Sequence, residues 1–308
     1  MARMTGATGV QTNRTDIQLP QAVANEILAK TQESSAVMRL ARRIDLPGNG
    51  LQIPVIVSDP TADWVTETGK KPVSNPEVSK KIMQAYKLAV IVPFSNEFRR
   101  DAARLYDELI RRLPNALGAK FDATVFHGAA PGSNFDTFAS ATAQAIGSNA
   151  YGGLVAAQID VATHGGDLNG IALAPQGKGI LLSATDNNNR PLFLNSVSEG
   201  AVDRVLGAPV VASKAAYASG SPNTVGVAGD WSKALYGTVE GVTIGYSEDA
   251  TLDLGGGNVI YLFQQNMFAV RAEIEVGFVA DTAVFNKLTD GTSGATGETG
   301  ETGTTGET

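Results

Sequence analysis

The apolar positions of this chain change period along its length, and the longest regular run lies near the C-terminal end. Phe268, Val270, Ala272, Ile274, Val276 and Phe278 alternate with Ala269, Arg271, Glu273, Glu275 and Gly277. A period of two over eleven residues predicts a half-buried strand about 35 Å long. Helical spacing dominates earlier, through Phe98, Ala102, Leu105 and Leu109, then Leu117, Phe121 and Val125. Ser95 or Asn96 is placed to cap that helix, with Glu97 in its first turn. Asp107–Arg111 and Glu108–Arg112 are i,i+4 pairs in the favourable acid-before-base order. Pro114 lacks an amide donor, so a kink is expected near Leu113. Continuous to Phe126, this helix would span about 45–50 Å.

Shorter signals fill the rest. Residues 1–19 are polar and read as extended or disordered until packed. Pro20 opens a helical stretch with Val23, Ile27 and Leu28 on one face; Met38, Leu40 and Ile44 follow, up to the turn Pro47-Gly48-Asn49-Gly50. Residues 128–152, rich in Gly, Ala, Ser and Asn, read as loop. Beyond them, 154–163 and 176–184 read as helices, and 171–174, 205–212 and 224–228 as strands. Residues 239–246 alternate weakly, and Gly255-Gly256-Gly257-Asn258 marks a tight turn.

One connection does not suit a compact domain. Residues 52–58 and 81–92 both read as strands, separated by a polar stretch carrying Pro60, Gly69, Pro72 and Pro76. Hairpin loops usually have about 2–5 residues, so this pair is expected to form a long β-arm projecting from the body. Such an arm buries little against its own chain and needs a neighbour. Lys70, Lys71, Lys80, Lys81 and Lys87 lie along it. They are either a solvated face or partners for acidic groups on an adjacent subunit.

Composition narrows the chemistry. The net charge of −7 gives the chain as a whole no footprint for gripping nucleic acid. The absence of cysteine excludes disulfides, thiolate metal sites and thiol catalysis. No run approaches transmembrane length, and no membrane partner is expected. Gly170 and Gly177-Lys178 have the wrong spacing for a phosphate loop, and Gly179 stands where that loop needs Ser or Thr. His127 and His164 have no second ligand at metal-binding spacing, and each is expected to meet terminal carbonyls at a helix end. No catalytic, cofactor-binding or metal-ligating residue is expected. From Gly291 onward glycine recurs every third residue, but without a single proline. A flexible solvated tail over 289–308 is favoured above a triple helix.

Several motifs then fall in a familiar order. Ala62-Asp63-Trp64-Val65-Thr66-Glu67-Thr68-Gly69 is followed by Lys87-Leu88-Ala89 and Val92-Pro93-Phe94-Ser95-Asn96-Glu97. Phe121-Asp122-Ala123, Phe126-His127-Gly128, Leu206-Gly207-Ala208-Pro209-Val210, Gly229-Asp230-Trp231, Arg271-Ala272-Glu273 and Ala283-Val284-Phe285 come next. This series resembles the tailed-bacteriophage major capsid proteins of the Hong Kong 97 fold. The resemblance implies an α+β fold with N-arm (1–45), extended β-loop (46–92), peripheral domain with spine helix and long strand (93–150 and 260–288) and axial α/β domain (151–259). It implies a non-enzymatic virion subunit, made in the host cytoplasm, that assembles as hexamers and pentamers around double-stranded DNA. No sequence-specific DNA binding is implied, and a separate scaffold protein and a portal are expected partners. Trp64, Glu67, Lys70 and Lys71 are candidate intersubunit contacts. An encapsulin shell of the same fold is the alternative. Some members of the family form Lys–Asn crosslinks; Asn266 and Asn286 are candidate acceptors, though noncovalent assembly is expected.

Overall fold

A computed structural model describes residues 21–48, 50–56, 78–97, 102–186, 188, 190–193, 203–239 and 241–291. The N-terminal segment forms helices α1 (Gln21–Ser34) and α2 (Ala36–Leu40), then strand β1 (Arg42–Asp45). Strands β2 (Leu51–Ile56) and β3 (Val78–Met83) make a separate two-stranded ribbon, in register from Leu51↔Met83 to Ile56↔Val78. After β4 (Tyr86–Ser95) comes the long helix α3 (Ala102–Phe126). Strand β5 (Thr142–Ala145), helix α4 (Ala150–Thr163), strand β6 (Gly170–Leu173) and helix α5 (Pro175–Ser183) follow. The remaining strands are β7 (Arg204–Val205), β8 (Ala208–Ala212), β9 (Thr224–Gly229), β10 (Ala234–Thr238), β11 (Thr243–Ser247), β12 (Thr251–Asp253), β13 (Val259–Tyr261), β14 (Met267–Ala280) and β15 (Phe285–Thr289).

Strand β14 organises the first sheet. Along one edge it pairs antiparallel with β4 from Met267↔Ser95 to Val276↔Tyr86. Its other edge takes β11 and then β10, and β1 adds parallel to β10. The expected alternation is real: Phe268, Val270, Ala272, Ile274 and Val276 are buried, whereas Arg271 is exposed and Glu273 and Glu275 are half-buried. The apolar face packs on Ile27 of α1 and on Leu113 and Leu117 of α3. The two helices approach closely because position 118 is glycine; a Cβ there would lie 2.6 Å from Ser34 Oγ.

The second sheet runs β5-β15-β9-β6-β8-β7. Leu154 and Ala157 of α4 and Leu181 of α5 share a core with Ile171, Leu173, Val225, Ala228 and Leu288 of its strands. Phe138 joins the two layers. Its ring stacks on Phe285 of the second sheet at 4.3 Å and meets Phe278 of the first edge-on at 5.6 Å.

Several expectations change. The segment 81–92 is not one strand but β3 and β4, which belong to different sheets. The stretch 128–152 contains β5 and the start of α4. Residues 205–212 divide at Leu206-Gly207, both at positive φ, and β10 went unread. Pro114 lies inside α3, which runs through it as a single 25-residue helix. Ser95 ends β4, and the described helix starts only at Ala102. Within the expected N-arm, Ile27, Val37 and Met38 are core residues. The sheets also depart from the expected boundaries: β10 and β11 pair with β14, whereas β5 and β15 lie in the second sheet.

Candidate functional site at the ribbon root

The ribbon stands apart from the two large sheets. Two strands alone bury too little to be stable in water, and among the described residues β2 and β3 form a sheet with no third strand. The tip, residues 57–77, lies outside the described residues, and so do Trp64, Glu67, Lys70 and Lys71.

The root is well ordered by contacts. Met83 is fully buried and packs with Leu46 and Val279. Gly277 and Gly237 allow this: a Cβ at 277 would lie 2.7 Å from the Gln84 carbonyl oxygen, and one at 237 would lie 3.0 Å from Met83 Sδ. The chain then turns at Gln84-Ala85 and enters β4. Asn134 spans that turn, its backbone N–H donating to the Tyr86 hydroxyl at 3.3 Å and its Nδ2 to Gln84 Oε1 at 3.2 Å. The Tyr86 ring meets Phe135 edge-on at 6.0 Å.

The arm lysines divide into different roles. Lys80 is exposed. Lys81 Nζ donates to Asp136 Oδ2 and to the Ala280 carbonyl, both at 2.7 Å. Lys87 pairs with Glu275 at 3.3 Å across β4 and β14. At least two of the five therefore pair within their own subunit, an outcome that neither the solvated-face nor the intersubunit reading covered.

A second junction ties the N-terminal segment to the spine. Asp122, on the buried face of α3, accepts from Ser35 Oγ at 2.5 Å and from the Ala36 and Val37 amides at 2.8 and 3.2 Å. Ser213 donates to the same carboxylate at 3.1 Å. Burial raises the Asp122 carboxyl above the usual range despite these bonds. The sequence carried a signal for it, a lone acid between Phe121 and Val125 on an apolar helix face, which the motif reading passed over. The third polar knot is Asp230. Burial opposes its ionisation, but bonds from Ser232, the Asp167 amide and Asn169 outweigh that and lower its pKa.

Other candidates behave as structural groups. His164 Nδ1 lies 2.8 Å from the Asp160 carbonyl of its own helix. His127 Nε2 instead reaches the Ala215 carbonyl at 3.0 Å, since the end of α3 packs against the 3-10 turn Lys214–Ala216. Among the described residues no group of three His, Cys, Asp or Glu could hold a metal, and no helix is long and apolar enough to cross a membrane. One surface was not foreseen. Leu254, Val259, Tyr261 and Phe263, on or beside the β12–β13 hairpin, are exposed, Phe263 by 80%.

Comparison with known proteins agrees with this architecture. The model of the phage capsid family matches residues 16–289. The chain is 29% identical over 292 residues to the probable major capsid protein gp17 of Mycobacterium phage D29, covering 88% of this chain and 89% of that one. A solved chain from Microbacterium phage Oxtober96 superposes with a TM-score of 0.65 at 25% identity, over 83% of this chain and 90% of that one. One from Mycobacterium phage Bobi gives 0.66 at 18% identity, over 93% and 95%.

Proposed function

Because the chain belongs to the phage capsid family, we propose that this structural shell subunit assembles as hexamers and pentamers into an icosahedral shell around double-stranded DNA. It is a major capsid protein of the Hong Kong 97-type fold and a component of the virion. The observation that carries the assembly reading is the ribbon, among the described residues a two-stranded sheet with no third strand, which a second copy would cover. Its tip residues Trp64, Glu67, Lys70 and Lys71 are the proposed intersubunit contacts. Many modest interfaces then add up in a closed symmetric assembly.

The peripheral domain is proposed to comprise α1, α3 and the β14 sheet including β10 and β11, and the axial domain the β5–β7 sheet with α4 and α5. Assembly in the host cytoplasm, with a separate scaffold protein and a portal, belongs to the same reading. The net charge of −7 suits a wall that lies beside DNA without sequence-specific binding. Deleting residues 61–79 tests the proposal. Electron microscopy should show closed DNA-filled particles for the full chain and none for the deletion, while the subunit stays folded. Normal shells from the deletion, or particles filled with protein cargo, would refute it.

A further inference from the structure

The ribbon is joined to the sheet it leaves by two residues after β3 and by residues 46–50 before β2. β3 ends at Met83 and pairs with β2, whereas β4 begins at Tyr86 and pairs with β14. The backbone between them, at Gln84 and Ala85, is the shorter of the two tethers that set where the ribbon points. Six paired residues reach about 20 Å at ~3.3 Å per residue. A rotation of about 10° at the root then moves the far end of the paired segment by about 3.5 Å. Close-packed interfaces do not tolerate such a shift.

Packing at Met83 holds the pivot, and Lys81 adds a contact two residues farther out along the ribbon. It lies opposite Ile53, beyond the pair of half-buried Leu51 and buried Met83. Its Nζ bridges Asp136 Oδ2 and the Ala280 carbonyl at 2.7 Å each. Asp136 is itself fixed: its Oδ2 accepts the Ala280 N–H at 3.0 Å, and its own N–H donates to the Phe278 carbonyl at 3.1 Å. The anchor is thus tied to the end of β14, the longest of the described strands. The pair is only partly buried, at 40% and 27% side-chain exposure, so its contribution to subunit stability is small. Its effect is on direction.

We propose that Lys81 and Asp136 form a latch that fixes the exit angle of the ribbon, presenting its tip to a second copy of this chain in the orientation that shell closure requires. Both are positioning residues, and the latch rests on the reading of the ribbon as an assembly arm. Neighbouring Lys80 marks the contrast, being exposed on the same strand.

The chain has no cysteine, so spin labels at Lys80→Cys and Lys120→Cys report the ribbon-to-spine distance in the unassembled full-length subunit. Lys81→Met and Asp136→Asn should broaden that distance distribution and cut the yield of closed shells at least fivefold, in favour of open or irregular particles. The urea midpoint should stay within a few tenths molar, and Lys81→Arg should recover most of both readouts. Unchanged distances with normal shells from Lys81→Met would overturn the latch. Loss of the folded subunit would overturn it too, since the pair would then be a stability element. Normal shells from Lys81→Met beside failed shells from the 61–79 deletion would remove the latch alone and leave the arm reading standing.

Discussion

Ser35 and Asp122 are 87 residues apart in sequence, yet the serine hydroxyl donates to the carboxylate at 2.5 Å. The same carboxylate takes the first two amides of α2 and the hydroxyl of Ser213, so the N-terminal segment, the spine helix and the second sheet's loop meet on one group. Replacing it with alanine leaves buried donors unpaired. Asp122→Ala should destabilise the unassembled subunit by about 3 kcal/mol, since each orphaned donor costs about 1–3 kcal/mol and water entering the gap relieves part of that. Urea unfolding measures it; a loss under about 1 kcal/mol would show that the segments do not depend on this junction.

The same carboxyl makes a pH prediction. Burial raises its folded pKa above the unfolded value, so between the two the folded chain holds the proton that the unfolded chain has released. Its contribution to stability is therefore largest below about pH 4 and declines as pH rises through the folded value. Asp122→Asn lacks this term. The wild type's stability relative to that variant should fall between pH 4 and 7, as read by urea midpoints. Asp230, whose lowered pKa gives the opposite slope, is present in both proteins and cancels. A rising difference would contradict the assignment.

Glycines inside helices α4 and α5 make a steric prediction. A Cβ on Gly153 would sit 2.1 Å from the Ala145 carbonyl oxygen, where α4 lies against the end of β5. Backbone cannot yield as a flexible side chain does. Gly153→Ala should cost about 2–4 kcal/mol in urea unfolding, whereas Gly179→Ala, with open space around it, should be neutral or slightly stabilising.

These glycines also show what the sequence conveyed. The alternation of 268–278 and the Leu117–Phe121–Val125 stripe were legible because one face of each element is buried and the other is less so. β5 and β10 were not, because their identity comes from pairing with distant strands: Thr142–Ala145 aligns with Asn286–Thr289, and Ala234–Thr238 with Val276–Ala280. The switch at Gln84-Ala85 was hidden for the same reason, since one apolar run serves two sheets. Of the candidate site, the long connection between strands revealed the arm. Nothing local could reveal that Lys81 answers to Asp136, 55 residues away.

Crosslinking chemistry is constrained by burial. An isopeptide bond needs a lysine amine to reach an asparagine amide carbon, with ammonia leaving. Asn286 has no exposed surface, and its Nδ2 points to the Ala157 carbonyl at 3.4 Å. Asn266 is exposed, but its Oδ1 accepts from Asn96 at 2.8 Å. Denaturing electrophoresis of assembled particles should show one band near 32.0 kDa. A ladder of higher multiples would establish crosslinking by another pair.

The glycine-rich tail should be dispensable for closure. The last described strand ends at Thr289, and Asp290 ties its end to Asn223: its carboxylate accepts from the Asn223 amide and side chain at 2.9 and 2.7 Å, and its N–H donates back to the Asn223 carbonyl at 3.1 Å. Beyond Gly291 the only apolar side chain is Ala295, so the remaining residues have no hydrophobic surface with which to hold an interface. Three glutamates and no cations follow, which makes copies of the tail repel one another. Truncation after Gly291 should leave the urea midpoint and the yield of closed particles unchanged, by unfolding titration and electron microscopy. A fall in yield with the midpoint intact would mean that the Gly-X-Y repeat contributes an intersubunit contact of its own, as three-chain winding would. Circular dichroism of full-length shells against truncated ones would then show the polyproline-like difference that such winding requires.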